Sequence, residues 1–521
     1  MDIISIETQI RSLSKLLDDI RQGYLQIPPF QRDFVWDRGS ILDLFDSIKN
    51  NYPIGSILVW KPKNELPWKS LKEIGSYRIQ PKDSNRKYLL DGYQRLSSLF
   101  GCLTNPDKTN LKCNESLRNL LFNIYFDLEE EIFVYIRQNT PKPHQVPVYI
   151  LMSTSDFRQY SRKYMEPFCD PSRLDKYLDR ADSLSRSLVD YKLAVIEISD
   201  APLSDAVNIF SRINSKGSDI SFDWMVNALS YSEKFNFAYE IDSLIESLAD
   251  FNFNKIPRNT LFRCYQSAFD DKLYIDQTDI EKLGTRKDFP ETAKRIKPAI
   301  IKAVDYLYSN LNVVEYKLLP YDLQLIFFMT FFDRVENPTP EQLKDLKNWF
   351  WKTTYSNYFT INSISNWRRA FGQFLSYING ETQDILYSDD KNTPFRTLPF
   401  PQTILMSSVR SKALILFELA HYRKVARRRP LHGRLYIHKL FSDENKTPEN
   451  IIPTFANKKK WITEANELAV NLDNDNIPNA FFLPPVKCLS NDSEILAQRK
   501  KMLMKAEKNF VEEKGLIYDN N

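Results

Sequence analysis

The sequence KYLLDGYQRLSSL, at residues 87–99, decides the fold of the N-terminal part of this chain. Its apolar run Tyr88–Leu90 predicts a short buried strand, and Asp91 with Gly92 predicts a sharp turn. Residues 94–99 then predict the first turns of a helix. A helix that begins directly after a tight turn presents free backbone N–H groups and the positive end of its dipole, so the stretch predicts a place that suits phosphate.

Two charged side chains add chemistry to this turn. Arg95 carries a forked cation whose geometry matches phosphate, and Asp91 carries a carboxylate that can hold a metal ion or orient water. The same residues also fit a plain strand-to-helix turn that is capped by an aspartate. Short motifs often match by chance, so this stretch alone leaves both interpretations open.

A second loop carries polar residues of the same kind. Gln31 and Arg32 follow two consecutive prolines and lie between aromatic residues. Proline stiffens a loop, so this one can hold an amide and a guanidinium in fixed positions beside a base or a phosphate. The alternative is a packed loop with a surface arginine.

A third loop, with the sequence NSKG at residues 214–217, follows a predicted helix. Lys216 can reach an anion, Asn214 can hydrogen-bond a ribose or a base, and Gly217 suits the end of a helix. A simple helix cap explains the same residues equally well.

The hydrophobic pattern changes twice along the 521 residues, which are enough for two to four domains. We predict an α+β protein with a mixed domain over residues 1–225, an all-helical domain over 226–428 and a small region over 429–521 that ends in a charged helix. Within the first domain, apolar spacing predicts a helix over residues 6–20, and the β-branched run Lys192–Ile198 predicts a strand.

The composition excludes several classes of protein. A net charge of +4 means that any nucleic-acid contact comes from local patches. Five scattered cysteines without a C-x-x-C pair argue against a disulfide framework or a zinc knuckle. The N-terminus has no signal-peptide pattern, and no apolar run is long enough for a membrane span. We therefore expect a cytoplasmic protein that does not contact a membrane; its oligomeric state stays open.

One local patch is strongly basic. Between residues 421 and 439 there are seven Lys or Arg residues and no acid. Such a run suits DNA phosphates, although a solvated helix face gives the same pattern. The predicted DNA-binding residues are Arg423, Lys424, Arg427, Arg428 and Arg429.

Taken in order, the three loops resemble a known family. IPPFQRDFVW at residues 27–36 resembles I-P-x-F/Y-Q-R-x-Y/F-V-W, and LDGYQRLSSL at residues 90–99 resembles I-D-G-Q-Q-R-L-T-T-L. FSRINSKG at residues 210–217 resembles F-x-R-I-N-x-x-G, and residues 46–57 resemble the segment between the first two motifs. The chain thus resembles the N-terminal domain of GmrSD-type restriction endonucleases, a relative of the ParB/sulfiredoxin fold.

The resemblance implies a domain that binds and hydrolyses an NTP, together with Mg²⁺, in bacterial defence against phage DNA. It assigns catalysis to Asp91, Gln94 and Arg95. It assigns nucleotide binding to the residues of all three loops, namely Gln31, Arg32, Gly92, Asn214, Lys216 and Gly217. Tyr93 stands where the family has glutamine, a departure that would change the choice of nucleotide by stacking or would lower hydrolysis.

The C-terminal region resembles the HNH-type nuclease that usually accompanies this domain. The matching residues are His438, Asn479 and Asn491. An HNH site needs a histidine base and a further ligand beside it, and the neighbours Ile437 and Lys439 leave one of these two groups missing. We therefore expect a degenerate ββα region, and the identity of any metal stays unknown.

We expect a defence protein in which NTP binding and hydrolysis gate the engagement of phage or modified DNA. Two alternatives remain. The first is an active, metal-dependent HNH endonuclease. The second is a non-enzymatic subunit that senses nucleotide or DNA and recruits a partner effector protein.

Overall fold

A computed structural model of the chain describes most of its residues. They are residues 5–31, 33–63, 70–82, 85–136, 140–214, 222–232, 234–271, 273, 282–361, 363–389, 394–426, 447–448, 454–455, 461–462, 479, 481–482, 484 and 492–519. The chain divides into two compact units. Unit 1 comprises Met1–Ile220 and Asn227–Asn236, and unit 2 comprises Ser221–Val226 and Phe237–Asn521.

Unit 1 contains one central sheet and two small ones. Its strands are β1 Ser5–Ser12, β2 Leu25–Gln26, β3 Ile57–Lys61, β4 Glu73–Ile74, β5 Tyr77–Arg78, β6 Lys87–Asp91, β7 Lys112–Cys113, β8 Tyr125–Asp127, β9 Ile132–Val134, β10 Gln145–Pro147 and β11 Lys192–Ser199. The central sheet has the order β1-β11-β3-β6-β2, and the small sheets have the orders β4-β5-β7 and β10-β8-β9. In the central sheet β6 is antiparallel to β3 and parallel to β2, so β2 and β6 end on the same side.

Helices flank this sheet and supply many of the buried apolar residues. The helices are α1 Leu13–Arg21, α2 Arg38–Lys49, α3 Tyr93–Leu103, α4 Glu115–Leu117, α5 Thr154–Tyr160, α6 Pro171–Asp190 and α7 Leu203–Asn214. Leu89 of β6 and Leu99 of α3 belong to one buried cluster, whereas Tyr88 packs on Trp60 with 5.7 Å between the ring centroids. The alternation along β6 therefore places one hydrophobic layer on each face of the sheet.

The predicted helix over residues 6–20 is wrong in its first half. Residues Ser5–Ser12 form β1, which pairs along its whole length with β11, and the helix begins only at Leu13. Ile6, Thr8 and Ile10 alternate with polar residues, so a period of two competes with the helical period in this segment. Pairing with β11 decides the outcome, and that partner lies far away in the sequence.

Asp156 connects α5 to the loop that follows α3. Its carboxylate accepts hydrogen bonds from Lys108 and, at 3.0 Å, from Asn105. Burial disfavours the charged form, but hydrogen bonds from Lys108, Ser153 and Asn105 outweigh it and hold the pKa of Asp156 below its usual value. The charged carboxylate therefore stabilises unit 1 at neutral pH.

Unit 2 is mainly helical in the described residues. With α8 Phe222–Ser230, which contributes to both units, the helices are α9 Phe237–Ser247, α10 Arg258–Asp270, α11 Phe289–Leu311, α12 Asp322–Arg334, α13 Pro340–Tyr355, α14 Tyr358–Ile361, α15 Ile364–Ile378, α16 Val409–Ala426 and α17 Asp492–Glu512. Two short strands, β12 Thr454–Phe455 and β13 Trp461–Ile462, pair with each other. The predicted charged C-terminal helix is confirmed as α17.

A buried ion pair joins α16 to α17. Arg410 donates two hydrogen bonds of 2.7 Å to the carboxylate of Glu507, and both side chains are almost fully buried. The hydroxyls of Tyr355 and Tyr518 also donate to this carboxylate, at 3.0 and 2.9 Å. A buried charge pair with all these partners is costly to break, because removing one member leaves an uncompensated charge.

The predicted α+β class is confirmed. The ParB/sulfiredoxin-like and HNH-like architectures and the boundary at residue 429 stay predictions, because most residues of the C-terminal region lie outside the described part.

Candidate functional site

The turn between β6 and α3 has the geometry that its sequence predicts. Gly92 has φ +95° and stands at the N-cap position, directly before Tyr93–Leu103. A Cβ atom at residue 92 would lie 2.4 Å from Cδ1 of Ile57, so only glycine fits both the dihedral angle and the space. No side-chain hydrogen bond caps the helix. The first N–H groups of α3 are therefore left without a side-chain cap at the end of β6.

Asp91 and Arg95 meet across this turn. Nη2 of Arg95 donates to Oδ2 of Asp91 at 3.0 Å, and Nη1 donates to the carbonyl oxygen of Ile54 at 2.6 Å. The side chain of Asp91 is 34% exposed and that of Arg95 is 17% exposed. The pair thus lies at the surface of the turn with the guanidinium held from two sides.

Gly55 makes room for this guanidinium. The residue has φ +85°, and a Cβ atom there would lie 2.6 Å from Nη1 of Arg95. Any other residue would combine an unfavourable dihedral angle with a collision against Arg95. The glycine of the loop before β3 is therefore a part of the site that our sequence analysis missed.

Gln31 and Gln94 bring the loop after β2 to the same turn. Nε2 of Gln31 donates to the carbonyl oxygens of Leu89 and Leu90, at 3.1 and 3.2 Å. These carbonyls belong to the end of β6, so Gln31 fixes the loop beside Asp91. The first two predicted loops are therefore neighbours in space.

Gln94 links α3 to this loop through three backbone groups. Its Nε2 donates to the carbonyl oxygen of Asp33 at 2.9 Å. Its Oε1 accepts from the N–H groups of Val35 and Trp36, at 2.9 and 3.3 Å. Both ends of the amide thus bind the chain itself, so Gln94 positions the loop. Its predicted catalytic role stays a prediction.

Tyr93 lies half-buried beside the site and packs against the hydrophobic cluster of unit 1. Burial raises the pKa of its hydroxyl, and the negative charges of Asp33 and Glu73 act in the same direction. The ring therefore contributes to the core of the unit, and its predicted effect on nucleotide choice stays a prediction.

The third loop is described only in part. Asn214 is the last residue of α7, within unit 1, and only its backbone is described. Arg32, Lys216 and Gly217 lie outside the described residues. Their predicted contacts with phosphate stay predictions.

The described start of the basic run, residues 421–426, belongs to α16 and borders a cleft of unit 2 of about 660 Å³. We call it the α16 cleft, and Lys347, His421, Arg423 and Lys424 are among its lining residues. Burial, with repulsion from Lys514 and Arg423, lowers the pKa of Lys347. Positive charges crowd this surface, and Lys347 could not be predicted because it lies far from the run in the sequence.

Arg423 has a structural role inside the α16 cleft. Its Nη1 donates to the carbonyl oxygen of Ser309 and, at 3.3 Å, to Oδ1 of Asn312. Both acceptors lie at the C-terminal end of α11, where a cation is favourable. Two of the predicted DNA-binding residues are described, Arg423 and Lys424, and Lys424 has no structural partner of this kind among the described residues. Arg427, Arg428 and Arg429 lie outside the described residues.

The predicted nuclease remnant cannot be assembled from the described residues. His438 and Asn491 lie outside them. Asn479 is exposed, and its carbonyl oxygen lies 2.9 Å from Nε2 of His421. The degenerate HNH site stays a prediction.

Comparisons with known proteins agree with the family resemblance of the three motifs. Residues 13–231 match the family described as the N-terminal domain of the GmrSD restriction endonuclease. The chain is also similar to the uncharacterized protein MJ0686 of Methanocaldococcus jannaschii, with 21% identity over 414 residues. That alignment covers 72% of this chain and 68% of the relative.

The N-terminal domain is thus of the class found in restriction-type defence proteins, which act on DNA. Residues 13–231 thus match the GmrSD N-terminal domain, the family that the three motifs resemble. Across the described ranges, no helix is both long and apolar enough to cross a membrane. Within the same ranges, no three His, Cys, Asp or Glu side chains are placed to hold a metal ion.

Proposed function

We propose that unit 1 binds and hydrolyses an NTP at the turn between β6 and α3, and that this controls how the protein engages DNA. One observation carries the proposal: the loop with Gln31, the ion pair of Asp91 and Arg95, and the uncapped start of α3 meet at one turn. Uncapped helix N–H groups and a guanidinium are the groups that bind phosphate oxygens.

Asp91 has the freedom that a reacting carboxylate needs. Its Oδ2 binds Arg95, whereas no hydrogen bond of Oδ1 to another described residue is present. An exposed carboxylate oxygen beside bound phosphates can accept a proton from the attacking water or orient it. These features support a catalytic role for Asp91 and a charge-stabilising role for Arg95 on the phosphoryl group.

The residues also fit Mg²⁺ brought in by the nucleotide. Mg²⁺ is usually bound by one or two carboxylates together with substrate phosphates, and Asp91 offers one such carboxylate. When bound, the ion would neutralise charge on the phosphates. Arg95 is already held beside the turn by Ile54 and Asp91, so the site is organised before the nucleotide arrives.

A panel of NTPs, tested for binding and for hydrolysis with and without DNA, examines this proposal. The variant Asp91→Asn keeps the size of the side chain but removes its charge. We expect turnover to fall by about 100-fold or more, with nucleotide binding retained. Asp182→Asn, at an exposed position of α6, is the matched control. Unchanged turnover in Asp91→Asn contradicts the catalytic assignment.

We propose that DNA binds at the α16 cleft. The double variant Lys347→Gln/Lys424→Gln removes two cations that line the cleft and leaves Arg423 in its structural role. We expect weaker binding of DNA with unchanged NTP turnover. Lys294→Gln/Lys302→Gln removes two exposed cations of α11 and is the control for total charge. Equal losses in both double variants contradict the assignment.

A second candidate function is nucleotide sensing without hydrolysis. It is favoured by one observation, that both terminal nitrogens of Arg95 and both amide atoms of Gln94 are already bound within the chain. In that case the panel would show nucleotide binding by calorimetry in the complete absence of product. An effector protein that binds only the nucleotide-loaded chain would then be the partner to seek.

A further inference from the structure

A separate cleft of unit 1, of about 710 Å³, is lined by cations. We call it the β2 cleft because Gln26 of the edge strand β2 forms one of its walls. Lys72, Arg78, Arg86 and Lys112 line it, and none of its described lining residues is an aspartate or a glutamate. A cleft with one sign of charge concentrates ions of the opposite sign.

Three of these cations have no acidic partner among the residues that the structure describes. Lys72, Arg78 and Lys112 are exposed, and their side chains form no ion pair with the acids of the described residues. Arg78 of β5 and Lys112 of β7 stand directly opposite each other in the strand register. Like charges in that arrangement repel each other, and a phosphate between them would relieve the repulsion.

The acid nearest in the register does not compensate for this. Glu73 of β4 lies opposite Arg78 on its other side. It does not line the cleft, and the two side chains form no ion pair. The β4-β5-β7 sheet thus presents an uncompensated pair of cations toward the cleft.

Buried hydrogen bonds hold the wall of the β2 cleft that Gln26 forms. The buried amide of Gln26 donates from Nε2 to the carbonyl oxygens of Gly23 and Lys82, at 2.9 and 2.5 Å. Its Oε1 accepts from the hydroxyl of Ser70. These bonds tie three segments together, so the backbone that carries the surrounding cations is fixed before DNA binds.

From these contacts we infer that the β2 cleft binds the phosphate backbone of DNA, at a site distinct from the Asp91 turn. Among the described lining residues the one aromatic ring, that of Tyr88, is almost fully buried and offers no face for stacking a base. Binding through phosphates without stacking or base contacts is independent of sequence. The inference rests on the proposed function in one respect, the use of DNA as substrate.

The test measures binding of a short unmodified duplex to the full chain over a range of salt concentrations. The variant Lys72→Gln/Arg78→Gln/Lys112→Gln removes the three uncompensated cations. If each contacts one phosphate, the slope of log K against log salt falls by about 2.7. The loss of affinity between about 50 and about 200 mM salt then becomes about 40-fold smaller than in the parent chain.

The control removes the same charge from the same unit. Arg158→Gln/Arg162→Gln/Arg186→Gln changes three exposed arginines of the segment 154–190, and we expect the slope to stay within about 1 of the parent value. Equal slopes in the two triple variants overturn the inference, because the effect would then be one of total charge.

NTP hydrolysis by both triple variants separates this inference from the proposed function. We expect turnover to be unchanged in both, since none of the six residues contacts the Asp91 turn. If the cleft variant loses nucleotide binding while DNA binding is retained, the cleft binds a free nucleotide and the inference is wrong. If Asp91→Asn retains turnover while the cleft variant loses DNA binding, the proposed hydrolysis fails and the DNA site stands.

Discussion

Replacing Gln94 by methionine should detach the loop after β2 from α3. The change removes the 2.9 Å bond to the Asp33 carbonyl and the bonds of 2.9 and 3.3 Å from Val35 and Trp36. A net contribution of about 0.5–1.5 kcal/mol for each of the three hydrogen bonds gives about 1.5–4.5 kcal/mol. The loop is largely exposed, so water can replace part of the bonding, and we expect about 1–2 kcal/mol.

Three measurements test the effect of Gln94→Met. Urea unfolding of the full chain should show the loss of free energy in the transition of unit 1. Limited proteolysis should cut the loop at residues 33–36 faster than in the parent chain, because the loop opens locally. Nucleotide titration should show an affinity lower by about 10-fold, since the loop no longer stands ready beside Asp91.

The pattern of kinetic constants separates positioning from catalysis. A positioning residue raises KM or Kd and leaves kcat largely intact at saturation, whereas a catalytic residue lowers kcat. The control is Gln94→Glu, which keeps an acceptor for Val35 and Trp36 but removes the donor to Asp33 and places a negative charge against its carbonyl. We expect an intermediate loss in this variant. Gln94→Met with parent-like stability, proteolysis and affinity would falsify the positioning role.

Three further substitutions test other parts of the molecule. Gly55→Ala should lower the stability of unit 1 by about 1–2 kcal/mol in urea unfolding and weaken nucleotide binding, because the methyl group displaces Arg95. Gly39→Ala, where φ is ordinary and a Cβ atom would make only a van der Waals contact with Asp37, should be neutral in the same measurement. Arg410→Met should destabilise unit 2 by about 3–5 kcal/mol in urea, because its buried glutamate partner loses its counter-charge. Hydrogen bonds hold the pKa of Asp156 below its usual value of 3.8. The loss of unfolding free energy in Asp156→Asn should therefore be greatest at pH 7 and should vanish as the pH falls through the pKa of the folded state. A difference between variant and parent that does not change with pH contradicts this account.

The turn at residues 87–99 could be predicted because its signals are local. Apolar residues, the Asp-Gly pair and the helical spacing all lie within one stretch, and a spacing of four residues places Asp91 and Arg95 on one side of a helix start. The observed strand Lys87–Asp91 and helix Tyr93–Leu103 follow these signals closely. Local sequence signals were therefore sufficient to predict this strand, turn and helix, without knowledge of contacts to distant parts of the chain.

Other features depend on contacts between distant parts of the chain. The first residues form β1 because β11 is available to pair with them, although their apolar spacing also fits a helix. The three uncompensated cations of the β2 cleft are spread over residues 72–112 and meet only through the register of β5 with β7. No periodic pattern joins such residues in the sequence, so only the fold reveals them.

The three residues that the family motif assigns to catalysis have different physical situations in the structure. Both ends of the Gln94 amide are hydrogen-bonded to the neighbouring loop. The guanidinium of Arg95 is held by the carbonyl oxygen of Ile54 and by Asp91, whereas Asp91 keeps one carboxylate oxygen for a substrate. Loss of Gln94 should therefore act on binding, and loss of Asp91 should act on turnover. An enzyme shows both effects, whereas a sensor shows only the first, so the two variants together decide between the two functions that the site supports.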